Sequence, residues 1–276
     1  MSKPSIFQFS QEQITSLDLK LVTKPRSQMF GRRLYTFSFD EQQYWLKAQI
    51  RNTHKDVEQG FLREMDFYQQ IAVGGDFSLP FSQMEWGDAL FQRYQEHYYP
   101  GVLILPHAVP VFDLHPEKLS ASEIHFQILS VLELLDGLYK QGYLHADLKA
   151  EHFVHYAGKN ALIDFEQIIP QFEQQSQKLT ATPRYMAPEL FHGDAKSVQS
   201  EIYALGIILL EWLTQQRLSA KTYQEWAVLH CQTLKVELPV QFQVYSEIIK
   251  KMLSKKKDHR FVCFEQIKYS LMLENV

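Results

Sequence analysis

The sequence predicts an α+β fold that divides near residue 110 into a strand-rich first part and a helix-rich second part. Before this point, short segments in which apolar and polar residues alternate are typical of β-strands. After it, longer segments with apolar residues at helical spacing predominate. The chain has 276 residues, of which 45% are hydrophobic, so it can bury a large core in one domain or in two lobes.

Composition and charge exclude several classes of protein. The formal net charge of −4 argues against a nucleic-acid-binding surface as the main function. Cys231 and Cys263 are too few for a disulfide framework and fit a reducing compartment. The N-terminal segment lacks an apolar run typical of a signal peptide, and the most apolar segment, Ala204 to Leu213, is too short to span a bilayer. We therefore expect a soluble, cytoplasmic protein that binds neither nucleic acid nor membrane.

The strand-rich part begins with alternating segments that lead into a helix. Strands are predicted at residues 17–22, 32–39 and 44–50, and a helix at residues 56–71. In the third strand, Leu46 and Lys47 point to opposite faces. Glu64 falls within the apolar stripe of the helix, where an unpaired carboxylate would be destabilising. Lys47 is the best-placed upstream cation, so we expect it to pair with Glu64.

Turn and capping residues place the next elements. A connection rich in Gly and Pro is predicted at residues 74–88, followed by strands at residues 89–95 and 102–108. Ser120 and Glu123 form a capping box before a long helix, which ends at Gly142. From there the pattern is mostly helical.

Two acidic residues follow this helix, Asp147 in HADLKAEHF and Asp164 in LIDFE. The segment between them is typical of a β-hairpin with its turn at Gly158–Asn160, so we expect both carboxylates to open on one cleft. The residues alone leave three roles open for such a pair. They can bind a divalent cation, accept a proton, or hold a structural hydrogen-bond network.

These motifs resemble those of eukaryotic-type protein kinases. HADLKAEHF resembles the catalytic loop HRDLKxxN, and IDFE resembles the metal-binding loop DFG. ATPRYMAPEL resembles the end of the activation segment, and SEIYALGIILLEWL the buried helix after it; the order and spacing agree over about residues 20–270. The resemblance implies a single kinase-like domain over residues 1–276 with a bilobal α+β fold. A small antiparallel-sheet N-lobe with one helix would span about residues 17–108, and a larger helical C-lobe about residues 109–276.

The resemblance also implies ATP-dependent phosphoryl transfer to Ser or Thr of a protein substrate, with Mg²⁺ or Mn²⁺ as cofactor. Asp147 would accept the proton of the acceptor hydroxyl, and Lys149 would stabilise charge on the γ-phosphate. Asp164 would bind the metal. Lys47, held by Glu64, would contact the α- and β-phosphates.

Further residues take supporting roles in the same comparison. The backbone of His107 and Ala108 would contact adenine. Thr182 resembles the Thr that hydrogen-bonds the catalytic Asp and Lys. A buried ion pair between Glu189 and Arg260 would brace the substrate-side loop. His145 would stack with Phe165 and Tyr68 as part of the packed spine.

The nucleotide side departs from the family pattern. KPRSQMFGRR contains no GxGxxG, so Gly31 is the one glycine whose amide is expected to be available to phosphates. Arg32 or Arg33 is a candidate for supplying positive charge instead. Trp45 stands where the family has a small Ala against adenine, and it either fills the pocket or stacks on a base.

The metal side departs as well. His152 replaces the Asn that binds the second metal; imidazole suits Mn²⁺ better than Mg²⁺, which predicts a single-metal site or a manganese preference. Glu166 replaces the Gly of DFG and either coordinates the metal or faces solvent. Ala146 replaces the Arg of HRD, and Glu201, in place of an Asp, is expected still to bond the catalytic-loop backbone. Ala146 and Lys178 together argue against activation by loop phosphorylation.

Two alternatives to a protein kinase remain open at this point. A pseudokinase would use the same fold as a binding or scaffolding module without catalysis, and the glycine-poor loop, Trp45 and His152 favour it. A kinase for a small molecule or sugar would keep the chemistry and change the acceptor. The APE segment favours a protein acceptor, because it shapes a peptide-binding shelf in the family.

Overall fold

The computed structural model describes residues 9–71, 76–172 and 182–274. The chain forms two compact units, one of Met1–Val109 with Ile163–Gln167 and one of Pro110–Leu162 with Ile168–Val276. The first is built on an antiparallel sheet and the second is mostly helical, so the predicted α+β class is confirmed. Within the described ranges, no helix has both the length and the apolar character needed to cross a membrane.

The strands of the first unit form one antiparallel sheet. They are β1 (Lys20–Leu21), β2 (Arg32–Phe39), β3 (Gln42–Gln49), β4 (Ser82–Glu85) and β5 (Gly101–Pro106). Their order in the sheet is β1-β2-β3-β5-β4. In β3, Leu46 and Ala48 are buried, whereas Trp45 and Lys47 are partly exposed, so the predicted alternation is confirmed.

A hydrophobic cluster covers the Leu46 face of this sheet. It is made of Phe9, Leu17, Leu19, Tyr35, Phe37, Tyr44, Leu46, Ala48, Trp86, Leu90, Tyr98, Val102 and Ile104. The other face carries Lys47 and its cross-strand partner Leu34, because residues directly opposite each other in an antiparallel pair share a face. Lys47 is therefore separated from this core.

The helices of the first unit include one that replaces a predicted strand. They are α1 (Gln11–Ser16), α2 (Pro25–Gln28), α3 (Lys55–Ile71) and α4 (Gly87–Tyr94). The prediction of α3 is confirmed, but the strand predicted at residues 89–95 is wrong, because most of that segment lies in α4. Trp86 and Leu90 are both buried, four residues apart, and the Leu90 amide donates to the Trp86 carbonyl (3.0 Å). The edge of the sheet is formed instead by β4, within the predicted connection.

The stretch Ile163–Gln167 belongs to the first unit because of its contacts with α3. Phe165 is fully buried, and its ring centroid lies 4.7 Å from that of Phe67. Its amide donates to Oε1 of Glu64 at 2.9 Å. The acidic motif IDFE is thereby attached to the helix that carries Glu64.

The second unit is mostly helical, with short strands. Its helices are α5 (Ala121–Lys140), α6 (Pro188–Phe191), α7 (Val198–Thr214), α8 (Tyr223–Val228), α9 (Ser246–Met252) and α10 (Phe264–Glu274). The strands from the division point onward are β6 (Val109–Pro110), β7 (Tyr143–Leu144), β8 (Phe153–Tyr156), β9 (Lys159–Leu162) and β10 (Ile169–Pro170). The capping box predicted before α5 is present, with both of its reciprocal hydrogen bonds. The predicted hairpin is present as β8–β9, but its turn lies at Ala157 (φ 48°) and Gly158 (φ 80°), and Asn160 is already paired in β9.

Candidate functional site

A lysine surrounded by carboxylates lies on the sheet face opposite the hydrophobic cluster of the first unit. Nζ of Lys47, on β3, lies 2.5 Å from Oε2 of Glu64, on α3, so the expected ion pair is present. The same ammonium is 3.0 Å from Asp164 and 2.7 Å from Glu166. An ammonium has three N–H donors, and these carboxylates match that number.

Electrostatics keep this lysine charged. Burial lowers the pKa of Lys47, but the charges of Asp164, Glu166 and Glu64 outweigh it and raise that pKa well above its ordinary value. Burial raises the pKa of Glu64 to about 7, against the opposing pull of Lys47. The cluster therefore fixes a permanent positive charge at the centre of several acidic groups.

The same carboxylates form an oxygen-donor set for a divalent cation. Ligand atoms of Glu64, Asp164 and Glu166 lie within 4.8 Å of one another. Carboxylate oxygens are the donors that Mg²⁺ and Mn²⁺ prefer. Asp164 is partly exposed, and its backbone is in the left-handed region at φ 66°. Glu166 is 5% exposed, so the alternative in which it faces solvent is wrong.

The connection before β2 is a helical turn rather than an open glycine loop. The amide of Gln28 donates to the Lys24 carbonyl (3.1 Å), and that of Gly31 donates to the Gln28 carbonyl (2.9 Å). The expectation that the Gly31 amide is available to phosphates is therefore wrong. Gly31 has φ 79°, and a Cβ there would clash with the side chains of Thr53 and Gln49. The positive φ and the close approach of the Thr53 and Gln49 side chains therefore require a glycine at position 31.

The two arginines that follow this turn point to opposite faces of the sheet. Nε of Arg33 lies 3.0 Å from Glu96, and its alternation partner Tyr35 belongs to the hydrophobic cluster. Arg32 lies on the face of Lys47 and forms an ion pair with Glu166. Of the two candidates for supplying positive charge, only Arg32 faces the lysine cluster.

An aromatic pair occupies the same face near the end of β5. The indole N–H of Trp45 donates to Nδ1 of His107 at 2.8 Å, and the two rings stack with centroids 5.9 Å apart. The His107 amide donates to the Gln43 carbonyl (2.8 Å), which commits that donor to the sheet; Ala108 follows, half-buried. Sequence reasoning missed the pair. The pairing register of β3 and β5 could have indicated it. Trp45 lies opposite Leu105, and His107, two residues further on, lies on the same face.

The second unit contains a carboxylate held by two donors. Nζ of Lys149 lies 2.8 Å from Oδ2 of Asp147. The hydroxyl of Thr182 donates to Oδ1 of Asp147 at 2.9 Å. Burial favours the protonated carboxyl, but Lys149 and the Thr182 hydroxyl hold the pKa of Asp147 below its ordinary value. The side chain is therefore an ionised acceptor at neutral pH.

The backbone beside Asp147 is strained and held from both sides. Ala146 has φ 67°, a left-handed conformation that is unfavourable for a residue with a Cβ. Its amide donates to Glu201 at 2.6 Å, and its carbonyl accepts from Nζ of Lys196 at 2.5 Å. The expected bond from Glu201 to this backbone is confirmed. Burial raises the pKa of Glu201 to about 7.

Two histidines of the same segment are also buried. The rings of His145 and His152 stack with centroids 5.3 Å apart, so His152 belongs to the second unit. In the first unit, the ring centroids of Tyr68 and Phe165 are 5.4 Å apart. The position of Lys178, on which the argument about loop phosphorylation depends, lies outside the described residues.

A buried ion pair braces the segment after Thr182. Arg260 donates from Nη1 and Nη2 to the two carboxylate oxygens of Glu189, each at 2.7 Å. This is the bidentate geometry that makes such pairs strong and directional. The side chains are 0% and 7% exposed, respectively.

Comparisons with known proteins point to one family. The chain is 31% identical over 103 residues to the serine/threonine-protein kinase YPK2/YKR2 of Saccharomyces cerevisiae, covering 36% of this chain and 15% of that protein. It is 28% identical over 153 residues to the "probable serine/threonine-protein kinase PknB" of Lactococcus lactis, covering 51% and 24%. With the serine/threonine-protein kinase Nek4 of Mus musculus the identity is 26% over 152 residues, covering 52% and 19%. The chain thus spans at most about a quarter of the length of these relatives.

The family model named protein kinase domain matches residues 100–272. This match covers more than half of the chain and includes the segments that carry Asp147, Asp164 and Glu189. The chain therefore belongs to the protein kinase domain family.

Proposed function

We propose that this protein transfers the γ-phosphate of ATP to a Ser or Thr hydroxyl of a protein substrate. The observation that carries the proposal is the Asp147 carboxylate, ionised and held between Lys149 and Thr182. We propose further that residues 1–276 are one kinase domain, with lobes at about residues 17–108 and 109–276.

Each residue of the second-unit site has a defined task in this reaction. Asp147 accepts a hydrogen bond from the acceptor hydroxyl and takes its proton as the new P–O bond forms. The Thr182 hydroxyl occupies one carboxylate oxygen and thereby orients the other. The Lys149 ammonium, 2.8 Å from the carboxylate, places positive charge where the transferred group develops negative charge.

The first-unit site suits the phosphate end of the nucleotide. Lys47, fixed by Glu64, is a permanent cation for the phosphates. Asp164 is the proposed metal ligand, with His152 as the candidate second ligand. A bound Mg²⁺ or Mn²⁺ would neutralise negative charge on the phosphates. The backbone of His107 and Ala108 is proposed to contact the base.

The proposed acceptor is a protein rather than a small molecule. The segment that ends in Glu189 is fixed by a buried bidentate pair with Arg260, which favours a preformed surface for a peptide. Curated relatives carry the name serine/threonine-protein kinase, which supports the same acceptor class. We propose that the protein acts in the cytoplasm.

The test is transfer of labelled γ-phosphate from ATP to the protein itself and to a mixture of cell proteins, with Mg²⁺ and with Mn²⁺. Asp147→Asn and Asp164→Asn keep the shape of each side chain and should abolish labelling. Asp66→Asn makes the same change at an exposed position of α3 and should leave labelling unchanged. Label on Ser or Thr of proteins supports the proposal. Label found only on small molecules would show that the acceptor is a small molecule and not a protein.

A pseudokinase is the second candidate, and one observation favours it. Glu166 engages both Lys47 and Arg32, and the amides of the turn before β2 that would cover phosphates are bonded within the turn. A protein that gives no label with either metal and no shift of its melting temperature with ATP would be a binding module. The search would then turn to a partner protein.

A further inference from the structure

The Glu166 carboxylate bridges two cations on one face of the sheet. Its Oε1 lies 2.7 Å from Nζ of Lys47, and its Oε2 is paired with Nη2 of Arg32. One oxygen thus serves each cation. A phosphate group presents the same pair of anionic oxygens at similar spacing and binds the same two kinds of donor.

The turn before β2 offers little to a phosphate from its backbone. Successive amides from Ser27 to Gly31 donate to carbonyls within the turn, from Lys24 to Gln28. Gln49 and Thr53 both donate to the Phe30 carbonyl, at 2.9 Å and 3.0 Å, and hold the turn in place. Charge for a phosphate at this edge must therefore come from a side chain.

Arg32 is the side chain with the required placement. It is the first residue of β2, on the Lys47 face, and its side chain is 40% exposed. Its Nε is buried and has no hydrogen-bond partner among the described residues, so the pair with Glu166 does not use every donor of the guanidinium. Arg33 faces the other way and pairs with Glu96.

Glu166 is positioned by helix α3. Nη1 of Arg63 donates to the Glu166 carbonyl at 2.6 Å. A Cβ added at Gly60 would lie in van der Waals contact with the side chain and carbonyl of Glu166, at 3.4–3.5 Å, so this part of α3 packs directly against Glu166. The backbone of Glu166 is thus positioned by contacts with α3 that do not depend on the two cations.

We infer that Arg32 and Lys47 form a two-cation site for the phosphates of the nucleotide, and that Glu166 competes with those phosphates for both cations. Arg32 supplies in this chain the charge that takes the place of a glycine-rich loop. Glu166 lowers nucleotide affinity because a phosphate must displace its carboxylate. The inference rests on the proposed function, since it names how the same nucleotide is held.

The test is equilibrium binding of ATP and of adenosine by isothermal titration calorimetry, with Mn²⁺ and with a chelator. The variants are Glu166→Gln, Arg32→Gln, the double variant, and Arg33→Gln as a control of equal charge on the opposite face. Glu166→Gln should bind ATP about tenfold more tightly than wild type, and Arg32→Gln about tenfold more weakly, as expected for one charge-assisted contact. Adenosine, which lacks phosphates, should bind all variants equally, and Arg33→Gln should match wild type.

The double variant decides whether Arg32 touches the nucleotide. If Arg32 binds phosphate, the double variant should bind ATP about tenfold more weakly than Glu166→Gln alone. Equal affinity of the two would show that Arg32 only neutralises Glu166 and would overturn the inference. Weaker binding by Glu166→Gln with Mn²⁺ would also overturn it and make Glu166 a metal ligand. Thermal melts of each variant establish that the protein remains folded.

The outcomes separate this inference from the proposed function. If neither wild type nor any variant binds ATP, both fail. If wild type binds ATP and transfers phosphate without any dependence on Glu166 or Arg32, the inference alone fails. If binding follows the expected pattern and no phosphate is transferred, the inference stands and the proposed function fails.

Discussion

The Glu189–Arg260 pair provides the sharpest test of how the second unit is held together. Glu189→Gln keeps the shape of the side chain and removes its charge. The side chain of Arg260 is fully buried and donates two hydrogen bonds to the carboxylate of Glu189, each at 2.7 Å. It also donates to the carbonyls of Ser254 (2.8 Å) and Gln199 (3.1 Å), and these bonds remain in the variant.

The magnitude follows from the burial of the charge. Breaking a buried pair by removing one partner is destabilising by about 3–5 kcal/mol, because an uncompensated charge remains. The remaining carbonyl partners of Arg260 place the expected loss near the lower end, at about 3 kcal/mol. The exposed Glu247–Lys250 pair, with a distance of 2.8 Å, is the control, and Glu247→Gln should cost less than about 0.5 kcal/mol.

The assay is urea unfolding of the full chain, followed by circular dichroism and by tryptophan fluorescence. A loss below about 1 kcal/mol for Glu189→Gln would refute the argument that burial makes this pair sensitive. A double change, Glu189→Leu with Arg260→Met, removes both charges and should destabilise less than Glu189→Gln does. If it destabilises more, hydrogen bonding by Arg260 to carbonyls outweighs the ion pair.

Further predictions concern the site. Thr182→Val removes a hydrogen-bond donor to Asp147, so the pKa of Asp147 should rise. The acid limb of the pH–rate profile should then move to higher pH, and the rate should fall roughly tenfold. An acid limb that does not move would contradict this prediction. Burial raises the pKa of Glu201 from 4.5 to about 7, so the stability that this contributes is complete below pH 4.5 and is lost as the pH rises through about 7. Relative to Glu201→Gln, the free energy of unfolding of wild type should therefore fall by about 1–3 kcal/mol between pH 5 and pH 8, and a flat difference contradicts this. His152→Asn should raise activity with Mg²⁺ relative to Mn²⁺, and an unchanged ratio would remove His152 from the metal preference.

Local patterns in the sequence were sufficient for one half of the lysine cluster. The alternation of β3 determines the face of Lys47, and the apolar stripe of α3 contains Glu64. Both observations depend only on short-range periodicity. Because an unpaired buried carboxylate is energetically costly, Glu64 needs a cation, and Lys47 is available to supply it. These patterns made Lys47 the best-placed partner for Glu64, and the resemblance to the kinase Lys–Glu pair turned that into an expectation.

The other half could not be predicted in the same way. Arg32 and Glu166 are 134 residues apart, and nothing local to either indicates the other. The alternation of β2 separates Arg32 from Arg33, but it does not say which of them shares a face with Lys47. Helix α4 was missed for a related reason. The apolar residues of this segment fit both a strand and a helix. The start of the helix is fixed by the amides of Trp86 and Gly87, which both donate to the distant Pro100 carbonyl at 2.8 Å.

The hydrophobic cluster on the Leu46 face has a practical consequence for anyone who shortens the chain. Phe9 stands edge-on to the rings of Phe37, Tyr44 and Trp86, with centroids 5.5–6.3 Å apart. A version that starts after Leu19 would keep Lys47 and its carboxylates but expose these rings to water. Such an apolar sheet face favours self-association. We therefore expect such a version to self-associate, and a mild detergent or a lower protein concentration to reduce that association.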